Sequence, residues 1–169
     1  RGSVRCVYWD NEGFPTTGTI TLEDCEINYL DRAVYAVNLL SLSIKDCRIH
    51  RPGDVNAGYV AVSGVVRELD VVNTVISGKA DRGLEAGADT GYSGSRASLR
   101  DLTVTGVTEA SVSLGGFQDL AVDNCEFRDN MGGMSILGCG DVRIASCRFL
   151  RNQNGGLYIG PDEYGGSTS

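Results

Sequence analysis

The sequence predicts an all-β fold, a right-handed parallel β-helix with three strands per coil and about six to seven coils. Three observations predict it: a gapless repeat, a short polar residue at one fixed place in every copy, and outward charges that meet opposite charges in the next copy.

The repeat occupies residues 20–27, 42–49, 69–76, 97–104, 120–127 and 142–149. Its sixth residue is Cys25, Cys47, Thr74, Leu102, Cys125 or Cys147, at spacings of 22, 27, 28, 23 and 22 residues. Apolar residues alternate until an Asp, Asn or Ser intervenes, and the alternation then resumes one residue out of step. That is a strand, a sharp bend and a second strand, so Ile20, Leu22, Cys25 and Ile27 all point inward. The bend is Asp24, Asp46, Asn73, Asp101, Asn124 or Ser146, all residues that bond nearby backbone and tolerate unusual dihedrals.

A short third strand follows each pair, marked by Val34/Ala36, Val60/Val62, Leu84/Ala86, Val112/Leu114, Met134/Ile136 and Leu157/Ile159. Coils stacked in register at roughly 4.8 Å make a column about 30 Å tall around an apolar axis. In that register Glu23 faces Lys45, Glu26 faces Arg48, Arg100 faces Asp123 and Glu126 faces Arg148. No segment carries helical periodicity, and residues 1–164 read as a single domain followed by a flexible tail at 165–169.

The repeated unit, as in residues 125–137 and 147–159, resembles the parallel β-helix repeat of the pectate-lyase-like superfamily over residues 18–160. The resemblance implies the fold. It leaves activity open, because that superfamily holds polysaccharide lyases, glycoside hydrolases, uronate epimerases, phage tailspikes and non-catalytic surface proteins. It points to an extracellular or virion-associated setting and to a polysaccharide partner.

A net charge of −7 and an acidic pI argue against nucleic acid, whose phosphates need a positive field. No apolar run reaches the length of a membrane span, and the opening Arg1, Gly2 and Ser3 do not begin a signal peptide. Four of the six cysteines share the anchor position. A disulfide or metal reading competes there with that of buried thiols, which their coil-length spacing and the equivalent Thr74 and Leu102 favour. The ends of such a column expose strand edges, so a homo-oligomer or flanking domains are expected to cover them.

The longer turns, residues 10–17, 50–58, 77–83 and 87–96, direct attention to a groove on the third-strand face. Outward residues expected there are Tyr35, Tyr59, Ala61, Glu85, Ser111, Ser113, Ser135 and Tyr158. Tyr35, Tyr59 and Tyr158 suit sugar stacking, with Arg128 as a further substrate contact. Glycoside hydrolysis needs two carboxyl groups about 5–10 Å apart. Glu85 is the acid on this face, and Asp81 and Asp89 are candidate partners. Lyase or epimerase chemistry needs a base and a cation beside a uronate, for which Arg82, Lys79, Arg128 or His50 qualify. Asp54, Asp81 and Asp89 also suit Ca²⁺; no cofactor is otherwise implied. The alternatives are solvated loop charges around ordinary strand tyrosines, and a structural or adhesive segment of a phage fibre or surface protein.

Overall fold

The computed structural model describes residues 7–10, 17–29, 32–53, 60–88 and 93–161. Strands are the only regular elements among these residues, and every pairing is parallel.

Second strands Glu26–Asn28, Arg48–Arg51, Val75–Gly78, Thr103–Thr105, Glu126–Arg128 and Arg148–Leu150 form one six-stranded sheet in coil order. First and third strands share an eleven-stranded sheet because two long strands, Val34–Lys45 and Val60–Val72, each run a third strand straight into the next first strand. Asn38, at φ 55°, is the extra residue of a bulge that turns this corner without a loop. Beyond Val72 the sheet forks. One branch carries first strands Arg96–Arg100, Asp119–Asp123 and Asp141–Ala145; the other carries third strands Arg82–Gly87, Ala110–Gly115, Gly132–Leu137 and Leu157–Gly160.

The predicted register holds. Each anchor carbonyl accepts from the amide that follows the next anchor: Arg48 N to Cys25 O at 2.8 Å, Val75 to Cys47 at 2.9 Å, Thr103 to Thr74 at 2.9 Å, Glu126 to Leu102 at 2.8 Å, and Arg148 to Cys125 at 2.8 Å. The six anchors therefore stand on one line. Cys47, Thr74, Leu102 and Cys125 are at most 1% exposed, while Cys25 and Cys147, in the outermost coils, are half-buried. Around them lie Leu42, Ile44, Leu69, Val71, Leu99 and Val122 from first strands, and Ile49, Ile76, Val104 and Phe127 from second strands.

The bend explains why the sixth residue is Cys or Thr in five of the six coils, Leu102 being the exception. Asp24, Asp46, Asn73, Asp101, Asn124 and Ser146 all have φ between 44° and 55°, the left-handed region that short polar side chains tolerate. The next side chain folds back to donate to the carbonyl two residues earlier: Cys25 Sγ to Glu23 O at 3.2 Å, Cys47 to Lys45 at 3.0 Å, Thr74 Oγ1 to Val72 at 2.9 Å, Cys125 to Asp123 at 3.3 Å, and Cys147 to Ala145 at 3.1 Å. A thiol and a hydroxyl do one job here. Cys139, which follows Gly138 at φ 57°, repeats the device at the corner after a third strand, with Sγ 3.7 Å from Leu137 O.

Bend side chains also bond up the column, Asn73 Nδ2 to Asp46 Oδ1 at 2.6 Å and Asn124 Nδ2 to Asp101 Oδ1 at 2.5 Å. Asn73 thus separates the carboxylates of Asp46 and Asp101, which would otherwise face one another. Asn73→Asp is expected to destabilise the protein by roughly 1–2 kcal/mol at pH 7, through a lost hydrogen bond and like charges in adjacent strands. The loss should shrink in denaturant titrations run below about pH 4, where carboxylates protonate.

At the corner before the third strand the column narrows to buried Ala33, Ala61, Gly83, Ser111 and Gly133. A Cβ on Gly133 would lie 1.7 Å from Gly156 O, whereas one on Gly87 meets nothing closer than 3.7 Å. Gly133→Ala is expected to cost about 3 kcal/mol or more by overpacking against backbone, and Gly87→Ala less than about 0.5 kcal/mol, in parallel urea unfolding curves.

Candidate functional site

On the third strands, register lines up Tyr8, Tyr35, Ser63, Glu85, Ser113, Ser135 and Tyr158 as the outward row. Two expected members are corrected. Ala61 and Ser111 are fully buried, and the Ser111 hydroxyl donates to Gly132 O at 2.7 Å. In the long coil before Arg82 it is Val62, not Val60, that aligns with Val34 and Leu84, so Ser63 takes the outward place. The extra residues of that coil lie ahead of its third strand, which places the sequence alternation two residues early. Tyr59 and Asp89 lie outside the described residues, as do Asp54, Cys6, the tail, most of turns 10–17 and 50–58, and residues 89–92 of turn 87–96.

The structure brings part of the expected cluster together. Arg82 pairs with Glu85 and, 3.3 Å away, with Glu109. Asp81 accepts from Thr108 Oγ1 at 3.2 Å. Tyr35, Ser63, Glu85 and Ser113 line one shallow hollow of 360 Å³. The remaining residues stay apart. Tyr158 borders a separate hollow of 470 Å³ with Met131 and Leu157, five coil steps or about 24 Å from Tyr35. Tyr35 itself is occupied, stacked on Tyr8 at 5.2 Å with the Arg32 guanidinium 4.8 Å from its ring.

Arg128 belongs to the second-strand sheet and pairs with Glu126 at 2.8 Å and Asp129 at 3.3 Å. Asp129 is also gripped by Arg151 through bonds of 2.6 and 2.8 Å, which hold its carboxyl below the usual range and push the Arg151 guanidinium up. His50 Nδ1 lies 3.0 Å from Ser77 Oγ. Arg51 is buried and donates to Lys79 O at 2.7 Å. The basic turn residues are therefore dispersed among their own partners rather than arranged as a strip.

A more voluminous concavity than either third-strand hollow lies on the first strands. A trough of 820 Å³ crosses the first strands of all six coils, a face on which the sequence reading places no site. The cause is side-chain size. Two outward rows cover this face, one of Thr19, Ser41, Glu68, Arg96, Asp119 and Asp141, the other of Thr21, Ser43, Asp70, Ser98, Ala121 and Arg143. Small Ser, Thr and Ala side chains open it between longer charged ones of the same rows, Asp70 standing between Ser43 and Ser98. Lys45 lies 3.5 Å from Asp70, Arg100 lies 3.6 Å from Asp70, and Arg96 lies 3.2 Å from Glu68. Lys45 and Arg100 thus lean towards Asp70 across the diagonal rather than only along the predicted register, while Glu126 and Arg148 pair directly at 2.7 Å. The alternation of the first strands carried this signal in part, since the outward Thr19, Thr21, Ser41, Ser43, Ser98 and Ala121 are visibly short.

Sequence reading also passed over Asn130 and Asn152, five residues beyond Cys125 and Cys147. Asn130 is 2% exposed, donates to Val104 O at 3.1 Å and accepts from Val107 N at 3.1 Å, while Asn152 donates to Phe127 O at 2.9 Å. They are internal braces for the second corner.

A family model described as "Right handed beta helix region" matches residues 90–165. With the unbroken parallel ladder, that decides the assignment. The chain is a right-handed parallel β-helix repeat protein. No curated protein and no solved structure matches it. No helix among the described residues of this β-helix is long and apolar enough to cross a membrane.

Cys25, Cys47, Cys125, Cys139 and Cys147 of the β-helix are free thiols, and no cluster of three or more metal-ligating side chains is assembled among the described residues. Burial pushes the Cys125 thiol up to about 12 and raises that of Cys47. The protonated form is therefore favoured in the folded chain, and this contribution to stability is lost as pH climbs from about 8.5 towards 12. Alkylation by iodoacetamide at pH 8 is expected to modify Cys125 about a thousandfold more slowly than in the urea-unfolded chain, with half-buried Cys25 and Cys147 reacting first in peptide mass maps.

Proposed function

We propose that the β-helix binds an extended polysaccharide along the trough of the first-strand face. One observation carries this reading: an 820 Å³ concavity, lined by Thr19, Thr21, Ser41, Ser43 and Ser98, runs across a rigid in-register sheet. Hydroxyls on a flat lattice match the donors and acceptors of a sugar chain. Strands spaced roughly 4.8 Å apart carry the trough over six coils for about 24 Å, so a linear polymer laid along it touches every coil it crosses.

Binding to an array of linear glycans, followed by calorimetry, tests the proposal. Ser98→Arg fills the middle of the trough from an outward position and is expected to weaken binding by at least about tenfold. Glu85→Gln, on the third-strand face, should leave it unchanged. The reverse pattern, or no bound glycan, refutes the trough.

A second reading, a structural or adhesive module, draws on one observation at the final third strand, where Leu157, Tyr158 and Ile159 are 43%, 53% and 56% exposed. Native mass spectrometry showing a concentration-dependent oligomer that Ile159→Lys dissolves would favour it.

A further inference from the structure

The cations around the trough are met by carboxylates of neighbouring coils. Glu23 on the first coil is followed by Lys45, then by Glu68 and Asp70, then by Arg96 and Arg100, then by Asp119 and Asp123. The last coil offers Asp141 and Arg143 together. Asp70 sits between Lys45 and Arg100, and Glu68 holds Arg96, so three of the cations that a polyanion would need are committed to carboxylates. Asp119 and Asp141 face outward on neighbouring strands and would repel a uronate directly.

The first two coils, by contrast, present only hydroxyls in the two rows of the trough: Thr19 beside Ser41, and Thr21 beside Ser43. Ser43 lines the trough, is nine-tenths buried, and its Oγ has no partner in the protein. A buried hydroxyl without a partner lowers stability, and a rotation about χ1 towards the trough lets a ligand hydroxyl supply the missing bond.

We infer that the trough selects an uncharged glycan over a polyuronate, with the hydroxyl quartet Thr19, Thr21, Ser41 and Ser43 as its seat. This rests on the proposed role of the trough and adds the class of sugar and the coils that grip it. Selectivity follows from what each ligand displaces. A neutral sugar exchanges hydrogen bonds with water, whereas a polyanion must break ion pairs and approach unpaired carboxylates. Binding of the favoured ligand is consequently insensitive to salt.

Calorimetry with neutral hexasaccharides of glucose, mannose and xylose, against a hexamer of galacturonic acid, tests this at about 0.05 and about 0.5 M NaCl. At least one neutral hexamer is expected to bind about tenfold or more tighter than the uronate, with an affinity that salt changes less than about twofold. Ser43→Ala should weaken that neutral ligand about fivefold to tenfold while raising Tm by about 1–3 °C, because it removes the unpartnered hydroxyl. A purely structural serine would raise Tm and leave affinity alone, which would overturn the seat. Tighter uronate binding that weakens with salt would overturn the selectivity, and if Ser98→Arg still abolished it, the trough itself would stand. Failure of every hexamer to bind would remove both the selectivity and the trough.

Discussion

Everything in this column depends on a residue that turns left. At Asp24, Asp46, Asn73, Asp101, Asn124 and Ser146 the backbone enters a region that most side chains avoid, and that one residue swings the chain from the first sheet to the second. The alternation then restarts out of step, so inward residues on both strands face one axis. The following thiol or hydroxyl ties the bend to the strand it has just left, and the anchor carbonyl ties it to the next coil. Remove the bend and neither sheet has a partner for its apolar face.

That bend was legible in the sequence because it is local. A short polar residue between two alternations needs no tertiary information to be seen, and the same holds for the anchor spacing and for Glu126 opposite Arg148. What was not legible came from distance or from length. Asn38 merges two strands because the coil above it needs no loop there, and nothing in residues 34–45 distinguishes a bulge from a turn. Ala61 was assigned to the surface because the extra residues of a long coil can be counted on either side of its third strand. The buried Ser111 has the same origin, since a serine beside a valine reads as outward until Gly132 O is found to need a donor.

The site was legible only in part. Glu85 and Arg82 meet as their spacing suggests, yet they neutralise each other, and the tyrosines thought to share a groove stand at opposite ends of the row. The concave face was overlooked because reading for function favours large and reactive side chains. Here the hollow is made by what is missing, where Ser, Thr and Ala stand between longer charged side chains. In a repeat protein the absence of bulk at one position, compounded over several coils, shapes the surface more than any single tyrosine does.

The charge rows on the first strands decide which coils this architecture can lose. Excising the coil of Arg96 and Arg100 alone would bring Glu68 directly against Asp119, and excising it together with the coil of Asp119 and Asp123 would bring Glu68 against Asp141. The bend row obeys a similar constraint, since loss of Asp101 places Asn73 directly on Asn124. Duplication and deletion of coils are the natural way for a solenoid to change height, and in this chain the coil of Arg96 is one whose loss sets like charges in register.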